Sequence, residues 1–423
     1  MSQIVEDAIW LIACSQDTLM RFLFTVQPLF GHFHSMVPLA LALKEHGHEV
    51  AFATGRSFRS AVRHAGFQHF PCGLDLAGEP SGIFQALPEW DTIQTKYPSV
   101  PVQQICGFIY ALGPKMADDL IELVRTWKPA VIIRDPVEFG GYIAAEYCGL
   151  PHATIIWALY INPKLLCPEA LVELRQRYGL ADDPELSTLD RYLALTFLPA
   201  EWAFPMVPSP PVTHRFCAPP FDRSSDAGLP DWIDALPDRP TIYATLGTTF
   251  NQAPATFQAI LTALNGGDVN AIITVGRSMD PALFQPQPGH IKIERYIPQT
   301  LVLPRCDAVI FHGGYNSLLS AVWHGLPMII TPLEAGDQLP NGLLCAKLGV
   351  GVLVTGSPPE PEAIRAGVKS VLEQPTYRAR AQQLQREIKQ LPNLSEAVKR
   401  LEILAATHEP QFNDSLHLDI PCG

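Results

Sequence analysis

The residues of this sequence that are most clearly suited to binding or chemistry lie around His312. The tripeptide His312-Gly313-Gly314 follows the short apolar run 308–311 and precedes a helical pattern over about 316–324. This order predicts a strand, a tight turn and a helix, so that N–H groups and the positive end of the helix dipole meet at one point. An anion such as a phosphate fits there, although an ordinary strand-to-helix turn also contains glycine. The side chains that could add hydrogen-bond donors are those of His312, Asn316 and Ser317.

A second histidine, His32, follows the first apolar run of the chain, 22–26, with Pro28 and Gly31 between them. We predict that His32 lies in the loop at the carboxyl end of the first strand, where ligands of parallel sheets bind. An imidazole ionises near neutral pH and can take a proton from a hydroxyl. A histidine at a helix start that only bonds to backbone is the alternative.

Arg134 and Asp135 end another apolar run, 130–133. A carboxylate close to His32 would orient its imidazole and stabilise the charged form. We predict this role for Asp135, with Glu138 as the reserve candidate. An aspartate that only caps a turn with Pro136 is common and stays open.

Two further turns in the second half of the chain carry candidate ligand contacts. Thr248 ends the segment Thr245-Leu246-Gly247-Thr248, and its hydroxyl could meet a phosphate. Tyr296 opens the segment Tyr296-Ile297-Pro298-Gln299 and offers an aromatic face for stacking. The alternatives are a simple strand-ending turn for Thr248 and core-edge packing for Tyr296.

Short apolar runs alternating with helical spacing predict two βα series that position these residues. Predicted strands span 22–26, 50–53, 130–133, 152–156, 192–198, 241–246, 271–275, 291–295, 308–311, 328–331 and 351–354. Predicted helices span 36–47, 115–127, 141–148, 165–178, 316–324, 361–373 and 377–404. The stretch 73–112 is poorly periodic and is predicted to be a long loop.

Prolines crowd near position 210 and predict a linker, since proline interrupts helices and central strands. The predicted organisation is an extension at 1–19, an N-terminal domain at 20–205, a linker at 206–230, a C-terminal domain at 231–405 and a loose tail at 406–423.

Composition excludes some classes of function. The 423 residues carry a net charge of −12, which argues against nucleic acid as a partner. Nine cysteines without metal-ligand or paired spacing suggest reduced thiols and a cytoplasmic location. No apolar run is long enough to predict a membrane span, which leaves peripheral association open.

The spacing of the central motifs resembles the donor-binding signature of the family 1 glycosyltransferases. The matching positions are His312-Gly313-Gly314, Ser317, Gly325, Pro327, Pro332, Asp337-Gln338 and Asn341. The run from Gly31 to Gly55 also resembles the opening of bacterial members, with Ser35 where proline is usual. The segment from Tyr296 to Gln299 resembles the WxPQ pattern of the family, with tyrosine in place of tryptophan.

This resemblance implies an α/β protein of the GT-B fold, with two Rossmann-like, doubly wound parallel-sheet domains facing across a cleft. It implies His32 as catalytic base, assisted by Asp135. It implies that Asp337 and Gln338 contact the sugar, and that Tyr296 and Gln299 contact the nucleobase. The implied diphosphate contacts are Thr248, His312, Gly314, Asn316 and Ser317.

The implied reaction is the inverting, metal-independent transfer of a hexose from a UDP- or dTDP-sugar to a hydroxyl of a small lipophilic acceptor. Ser320 stands where plant-type members carry a ribose-binding glutamate, which favours dTDP. Aromatic residues that could line the acceptor site, or equally pack in the core, are Phe84, Trp90, Tyr97, Phe108 and Tyr110.

Two other functions fit the same fold: a nucleotide-sugar epimerase, and a non-catalytic auxiliary protein. A dinucleotide oxidoreductase is disfavoured, because no GxGxxG motif follows a predicted strand.

Overall fold

A computed structural model describes residues 19–75, 84–85, 87–157, 162–202, 209–222, 228–247, 251–266, 268–276, 279–333 and 336–413. The chain divides into two compact units, residues 1–218 together with 391–423, and residues 219–390. The predicted extension at 1–19 lies outside the described residues except for Leu19.

The first unit is built on a seven-stranded sheet of order β3-β2-β1-β4-β5-β6-β7. Each neighbouring pair is parallel. The strands are β1 Arg21–Thr25, β2 Glu49–Thr54, β3 Gln68–Pro71, β4 Val131–Arg134, β5 His152–Ile156, β6 Leu193–Thr196 and β7 Thr213–Arg215. The α-helices before residue 200 are α1 Phe30–Glu45, α2 Arg59–His64, α3 Trp90–Lys96, α4 Val100–Gly107, α5 Gly113–Trp127, α6 Gly140–Cys148, α7 Pro163–Leu166 and α8 Pro168–Arg177.

The second unit has a six-stranded parallel sheet of order β10-β9-β8-β11-β12-β13. Its strands are β8 Thr241–Thr245, β9 Asn270–Thr274, β10 Ile291–Glu294, β11 Ala308–Phe311, β12 Met328–Ile330 and β13 Gly351–Leu353. The helices that follow in the chain are α9 Pro254–Leu264, α10 Gln299–Val302, α11 Tyr315–Trp323, α12 Gln338–Lys347, α13 Pro361–Glu373, α14 Pro375–Gln390 and α15 Leu394–Thr407. The last of these belongs to the first unit.

Both sheets reverse their strand order at one point, between β1 and β4 in the first and between β8 and β11 in the second. The last residues of these strands are aligned, Thr25 with Arg134 and Thr245 with Phe311. The central strands are almost wholly buried, as expected for parallel strands covered on both faces. Within each sheet, the loops that leave the two strands of the switch point therefore start side by side, and open α/β sheets bind ligands at such a point.

Three segments before residue 231 differ from the expectations. The predicted loop 73–112 contains helices α3 and α4 and a π-helical segment, Phe108–Leu112. The predicted linker 206–230 contains β7, which is an edge strand of the described sheet. An edge strand tolerates neighbouring prolines, because one of its sides forms no hydrogen bonds to another strand of that sheet. Strand β3 has no counterpart among the predicted strands, because its residues are only partly buried and lack an apolar pattern.

The predicted helix 377–404 is two helices, and the second leaves the predicted C-terminal domain. Asn393 starts α15 by accepting a hydrogen bond from the amide of Glu396. The buried face of α15 packs on α1, and His48 Nε2 lies 2.9 Å from Glu402 Oε1. Residues 391–405 thus belong to the first unit, because that is where the apolar face of α15 is buried.

The segment 408–413 is also attached to the first unit, in contrast to the loose tail predicted for 406–423. The Gln411 amide donates to the Tyr192 carbonyl at 2.8 Å, and the Asn413 amide donates to the Pro211 carbonyl at 2.8 Å. Residues 414–423 lie outside the described part of the chain.

Candidate active site

His32 and Asp135 meet at the switch point of the first sheet. His32 lies in the first turn of α1, and Asp135 follows β4 directly. His32 Nδ1 donates a hydrogen bond to Asp135 Oδ2 at 2.5 Å, since a carboxylate can only accept. The side chain of His32 is 16% exposed and that of Asp135 is 0% exposed. The helix begins at Phe30, so the predicted loop position of His32 is corrected to the helix start.

Asp135 also caps its own turn, so both interpretations of this residue apply together. Its Oδ1 accepts from the Val137 amide at 3.0 Å, and its own amide donates to the Thr25 carbonyl at 3.0 Å. One carboxylate oxygen is therefore used to hold the loop while the other faces the imidazole. This leaves little rotational freedom for Asp135.

The guanidinium of Arg134 supports the same loop from inside the unit. Arg134 is 1% exposed, and its Nη1 donates to the carbonyls of Asp135 at 3.3 Å and Pro136 at 3.3 Å. Its Nη2 donates to the Leu189 carbonyl at 3.3 Å. A buried arginine thus connects the loop after β4 to the turn before β6.

Glu138, the reserve candidate, has a different role. Its carboxylate accepts from the Gly141 amide at 2.9 and 3.1 Å, at the start of α6. Burial raises the pKa of Glu138 to about 7. The acid that contacts His32 is therefore Asp135.

Two aromatic rings lie near the imidazole of His32. The ring centroid of Trp157 lies 4.6 Å from that of the imidazole, in an edge-to-face arrangement. The ring centroid of Phe108 lies 6.3 Å from that of the imidazole. Phe84 packs on Phe108 at 5.3 Å and on Trp90 at 5.8 Å. The surroundings of the His32 imidazole are thus apolar on the side of these rings.

The predicted acceptor aromatics divide into two sets. Phe84 and Phe108 are buried in the core of the first unit, whereas Trp90, Tyr97 and Tyr110 are partly buried at its edge. Tyr97 and Tyr110 donate their hydroxyls to exposed carboxylates of α8, those of Glu169 at 3.1 Å and Glu173 at 2.7 Å. The partly buried set packs against the same apolar cluster as Trp157.

The switch point of the second sheet has the turn that the glycine pair predicts. Gly313 has φ +94°, and an added Cβ would lie 2.5 Å from the Gln338 carbonyl oxygen. Gly314 is the N-cap of α11, and the first hydrogen bond of the helix runs from the Leu318 amide to the Gly314 carbonyl at 3.1 Å. The amides of residues 315–317 therefore lie at the positive end of the helix.

His312 fills the space that two glycines leave open. A Cβ on Gly314 would lie 2.3 Å from His312 Nε2, and one on Gly247 would lie 2.7 Å from His312 Cε1. Burial lowers the pKa of His312 to about 4, so the ring is neutral at neutral pH. Its Nδ1 is buried without a hydrogen-bond partner among the described residues. The imidazole is thus held by close packing against Gly314 and Gly247 rather than by a protein hydrogen bond at Nδ1.

The other predicted donor residues contact one another around this turn. Gln299 Nε2 donates to Ser317 Oγ at 3.1 Å. Asn341 Nδ2 donates both to the Gly313 carbonyl at 2.8 Å and to Asp337 Oδ2 at 2.7 Å. Gln338 Oε1 accepts from the Leu333 amide at 2.7 Å. Thr248 lies outside the described residues.

Comparison with known proteins identifies the family. Models of the N-terminal and C-terminal domains of erythromycin biosynthesis protein CIII-like proteins match residues 41–247 and 258–404. The chain is 27% identical to 10-deoxymethynolide desosaminyltransferase of Streptomyces venezuelae, over 94% of this chain and 100% of that protein. It is 26% identical to TDP-daunosamine transferase DnrS of Streptomyces peucetius, over 92% of this chain and 98% of that protein.

Among solved structures, the glycosyltransferase VinC in complex with dTDP superimposes with a TM-score of 0.76. It is 26% identical and is matched over 92% of this chain and 100% of its own. The chain is a family 1 glycosyltransferase of the GT-B fold. The fold and family predicted from its motifs are confirmed.

In this glycosyltransferase the predicted site residues form two groups, one in each unit. His32 and Asp135 form the first group, and the residues around the glycine turn at 313–314 form the second. Sequence reasoning missed the contact of Trp157 with His32, because Trp157 follows β5 without any motif. It also missed Arg134 as a support of the Asp135 loop, although an arginine at the end of a buried strand is unusual enough to be a signal.

Within the part of this glycosyltransferase that the structure describes, no helix has the length and apolar character needed to cross a membrane.

Proposed function

We propose that this glycosyltransferase moves a hexose from a dTDP-sugar to a hydroxyl of a small lipophilic acceptor, with inversion at the anomeric carbon. The observation that carries this proposal is the 2.5 Å contact between His32 Nδ1 and Asp135 Oδ2 at the first switch point. It leaves Nε2 as the ring nitrogen that can take a proton. The same contact supports the assignment of Asp135 as the acid that stabilises the imidazolium.

The transfer has a simple balance of bonds and charges. His32 Nε2 takes the proton of the acceptor hydroxyl while its oxygen forms a bond to the anomeric carbon. The bond from that carbon to the diphosphate oxygen breaks, and the nucleoside diphosphate leaves with the electron pair. Attack from the face opposite the leaving group inverts the configuration. Proton removal by such a base contributes about 10²–10⁴-fold to the rate.

The leaving diphosphate is proposed to bind at the N-terminal end of α11. Amides of residues 315–317, the Ser317 hydroxyl, the Asn316 side chain and the neutral His312 ring offer donors to a polyanion there. These groups stabilise negative charge without a metal ion, so we propose a metal-independent reaction. The phosphate contact predicted for Thr248 stays a prediction.

The nucleoside is proposed to contact Tyr296 and Gln299, with dTDP preferred over UDP. Ser320 is 4% exposed within α11 and is too short to hold a ribose diol. The deoxyribose of dTDP lacks the 2′-hydroxyl, so it has no diol that a side chain must bind. TDP is named for DnrS, and VinC was solved with dTDP, which supports the same nucleotide here.

The sugar is proposed to contact Asp337 and Gln338, which start α12 beside the glycine turn. The acceptor is proposed to lie against the aromatic rings near His32, since apolar walls with few polar groups suit a lipophilic ligand. The relative from Streptomyces venezuelae is named for 10-deoxymethynolide, which supports an acceptor of this chemical class.

A donor and acceptor screen tests the proposal. The purified protein is incubated with dTDP-glucose or UDP-glucose and a panel of macrolide, polyphenol and sterol alcohols, with and without EDTA. We expect a glycoside whose anomeric configuration, measured by NMR coupling constants, is opposite to that of the donor, with no loss in EDTA. Retention of configuration or complete loss of activity in EDTA would contradict the mechanism.

This screen and a thermal shift measurement together distinguish the other two functions. An epimerase would convert the sugar nucleotide without any acceptor. A non-catalytic auxiliary protein would bind no nucleotide, whereas a ligand at about 100 times its Kd should stabilise this protein by about 2.7 kcal/mol in a thermal shift measurement.

A further inference from the structure

We propose that Asp222 is a positioning residue of the nucleotide site, a role that rests on the proposed function of Tyr296 and Gln299. Asp222 lies four residues after Ala218, the last residue of the first unit before the boundary. No donor motif includes it. Its contacts nevertheless converge on the segment 296–300, which is proposed to meet the nucleobase.

The carboxylate of Asp222 holds the start of α10. Its Oδ2 accepts from the Thr300 amide at 2.9 Å, and its Oδ1 accepts from the Thr300 hydroxyl at 2.8 Å. A carboxylate at this point satisfies an amide of the first helical turn. Asp222 thus acts as an N-terminal cap supplied from 78 positions away.

The main chain of Asp222 holds Tyr296 from the other side. The Tyr296 hydroxyl donates to the carbonyl oxygen of Asp222. The ring of Tyr296 is therefore attached at both ends, by its own backbone after β10 and by its hydroxyl. A ring that is already immobilised loses less entropy when a base stacks on it. Tryptophan at this position, as in the related WxPQ pattern, has no hydroxyl to make this bond.

These contacts extend to the proposed diphosphate site. Gln299 directly precedes Thr300, and Gln299 Nε2 donates to Ser317 Oγ at 3.1 Å in the first turn of α11. Asp222 is thereby linked through α10 to the start of α11. We infer that Asp222 sets the orientation in which Tyr296 and Gln299 meet the nucleobase.

Three variants test the two contacts of Asp222, that of its carboxylate with Thr300 and that of its carbonyl with Tyr296. Asp222→Ala and Thr300→Val each remove the carboxylate–hydroxyl bond, and Tyr296→Phe removes only the hydroxyl of the ring. Asp231→Ala, an exposed aspartate of the same unit, is the matched control. Binding of dTDP and of inorganic pyrophosphate is measured by calorimetry, and steady-state kinetics give kcat and the KM of each substrate.

We expect each of the three variants to weaken dTDP binding about three- to tenfold, the range of one hydrogen bond. The donor KM of each variant should rise to match. In Asp222→Ala and Thr300→Val, kcat at saturating donor and the acceptor KM should stay unchanged. Pyrophosphate carries no base, so its affinity should change much less than that of dTDP. The double variant Asp222→Ala with Thr300→Val should bind dTDP no more weakly than the worse single variant, since both remove one shared bond.

Unchanged dTDP affinity in folded Asp222→Ala and Tyr296→Phe proteins would overturn the inference. An equal loss of dTDP and pyrophosphate affinity would overturn it too, since that result indicates general loosening of the unit. If the unmodified protein bound neither dTDP nor UDP, the proposed function itself would fail, which distinguishes the two failures.

Discussion

His32 Nδ1 and Asp135 Oδ2 lie 2.5 Å apart although 103 positions of chain separate the two residues. The contact exists because β1 and β4 are neighbours in the sheet and both end at the same level. In the second unit, His312 and Gly247 likewise lie close together just after the ends of β11 and β8. In each unit the proposed chemistry depends on the one place where the strand order reverses.

Replacing His32 by alanine should abolish most of the transfer activity. We expect kcat to fall by about 10²–10⁴, because the imidazole that contacts Asp135 is the proposed proton acceptor and an alanine side chain cannot take a proton. The control is His46→Ala, an exposed histidine at the end of the same helix. Transfer rates of folded proteins are compared by product formation, and full activity of the His32 variant would refute the base assignment.

Asp135→Asn and Glu138→Gln should behave differently, although both carboxyl groups are buried in the same loop. The asparagine keeps the size of Asp135 but removes the charge that orients and stabilises the imidazole, so we expect kcat to fall at least about 100-fold. Glu138→Gln keeps an acceptor for the Gly141 amide and should stay within about threefold of the parent activity. Equal losses in both variants would contradict the assignment of Asp135.

Stability should depend on pH through Glu138. Burial raises the pKa of this carboxyl from 4.5 to about 7, so between these values the folded state keeps a proton that the unfolded state has lost. Its contribution to the free energy of unfolding is therefore fully present below about pH 4.5 and is lost as pH rises to about 7. Glu138→Gln should gain stability relative to the parent between pH 5 and pH 8, by of order 3 kcal/mol at most.

Urea unfolding at pH 5, 6, 7 and 8 measures this difference. Glu122→Gln, on the exposed side of α5, is the control and should show no such trend. A constant difference between Glu138→Gln and the parent across this range would show that the Glu138 carboxyl does not titrate as described.

Gly314→Ala should impair donor binding by displacing His312. Gly314 has an ordinary φ of −70°, so alanine causes no backbone strain, but its Cβ would lie 2.3 Å from His312 Nε2. We expect the donor KM to rise about tenfold or more with little change in acceptor KM. Gly289→Ala is the matched control, because an added Cβ there meets nothing within 4 Å. An unchanged donor KM in Gly314→Ala would argue against His312 as a donor contact.

Leu401→Ala should destabilise the first unit, although the sequence pattern places residue 401 in the C-terminal domain. Leu401 is fully buried on the face of α15 that belongs to the first unit. Removing a buried leucine side chain costs about 2–5 kcal/mol. Glu396→Gln, exposed on the same helix, should stay within about 0.5 kcal/mol. Chemical unfolding monitored by tryptophan fluorescence provides the comparison.

Local patterns in the sequence determined the parts of the fold that depend on neighbouring residues. The buried strands of both sheets are short apolar runs, and the glycine turn before α11 is set by Gly313, whose φ of +94° favours glycine. The motif that includes His312, Ser317 and Asp337 is therefore recognisable from the amino-acid sequence alone. So are His32 and Asp135 as candidates, since each follows a predicted strand.

Only the tertiary structure decided which distant residues meet. Three findings depend on segments that are far apart in the chain. They are the contact of His32 with Asp135 rather than Glu138, the contact of Trp157 with His32, and the packing of α15 in the first unit. The bonds of Asp222 to Tyr296 and Thr300 are of the same kind. Periodicity and turn chemistry describe a few consecutive residues, whereas these contacts depend on strand order and on which apolar faces are buried together.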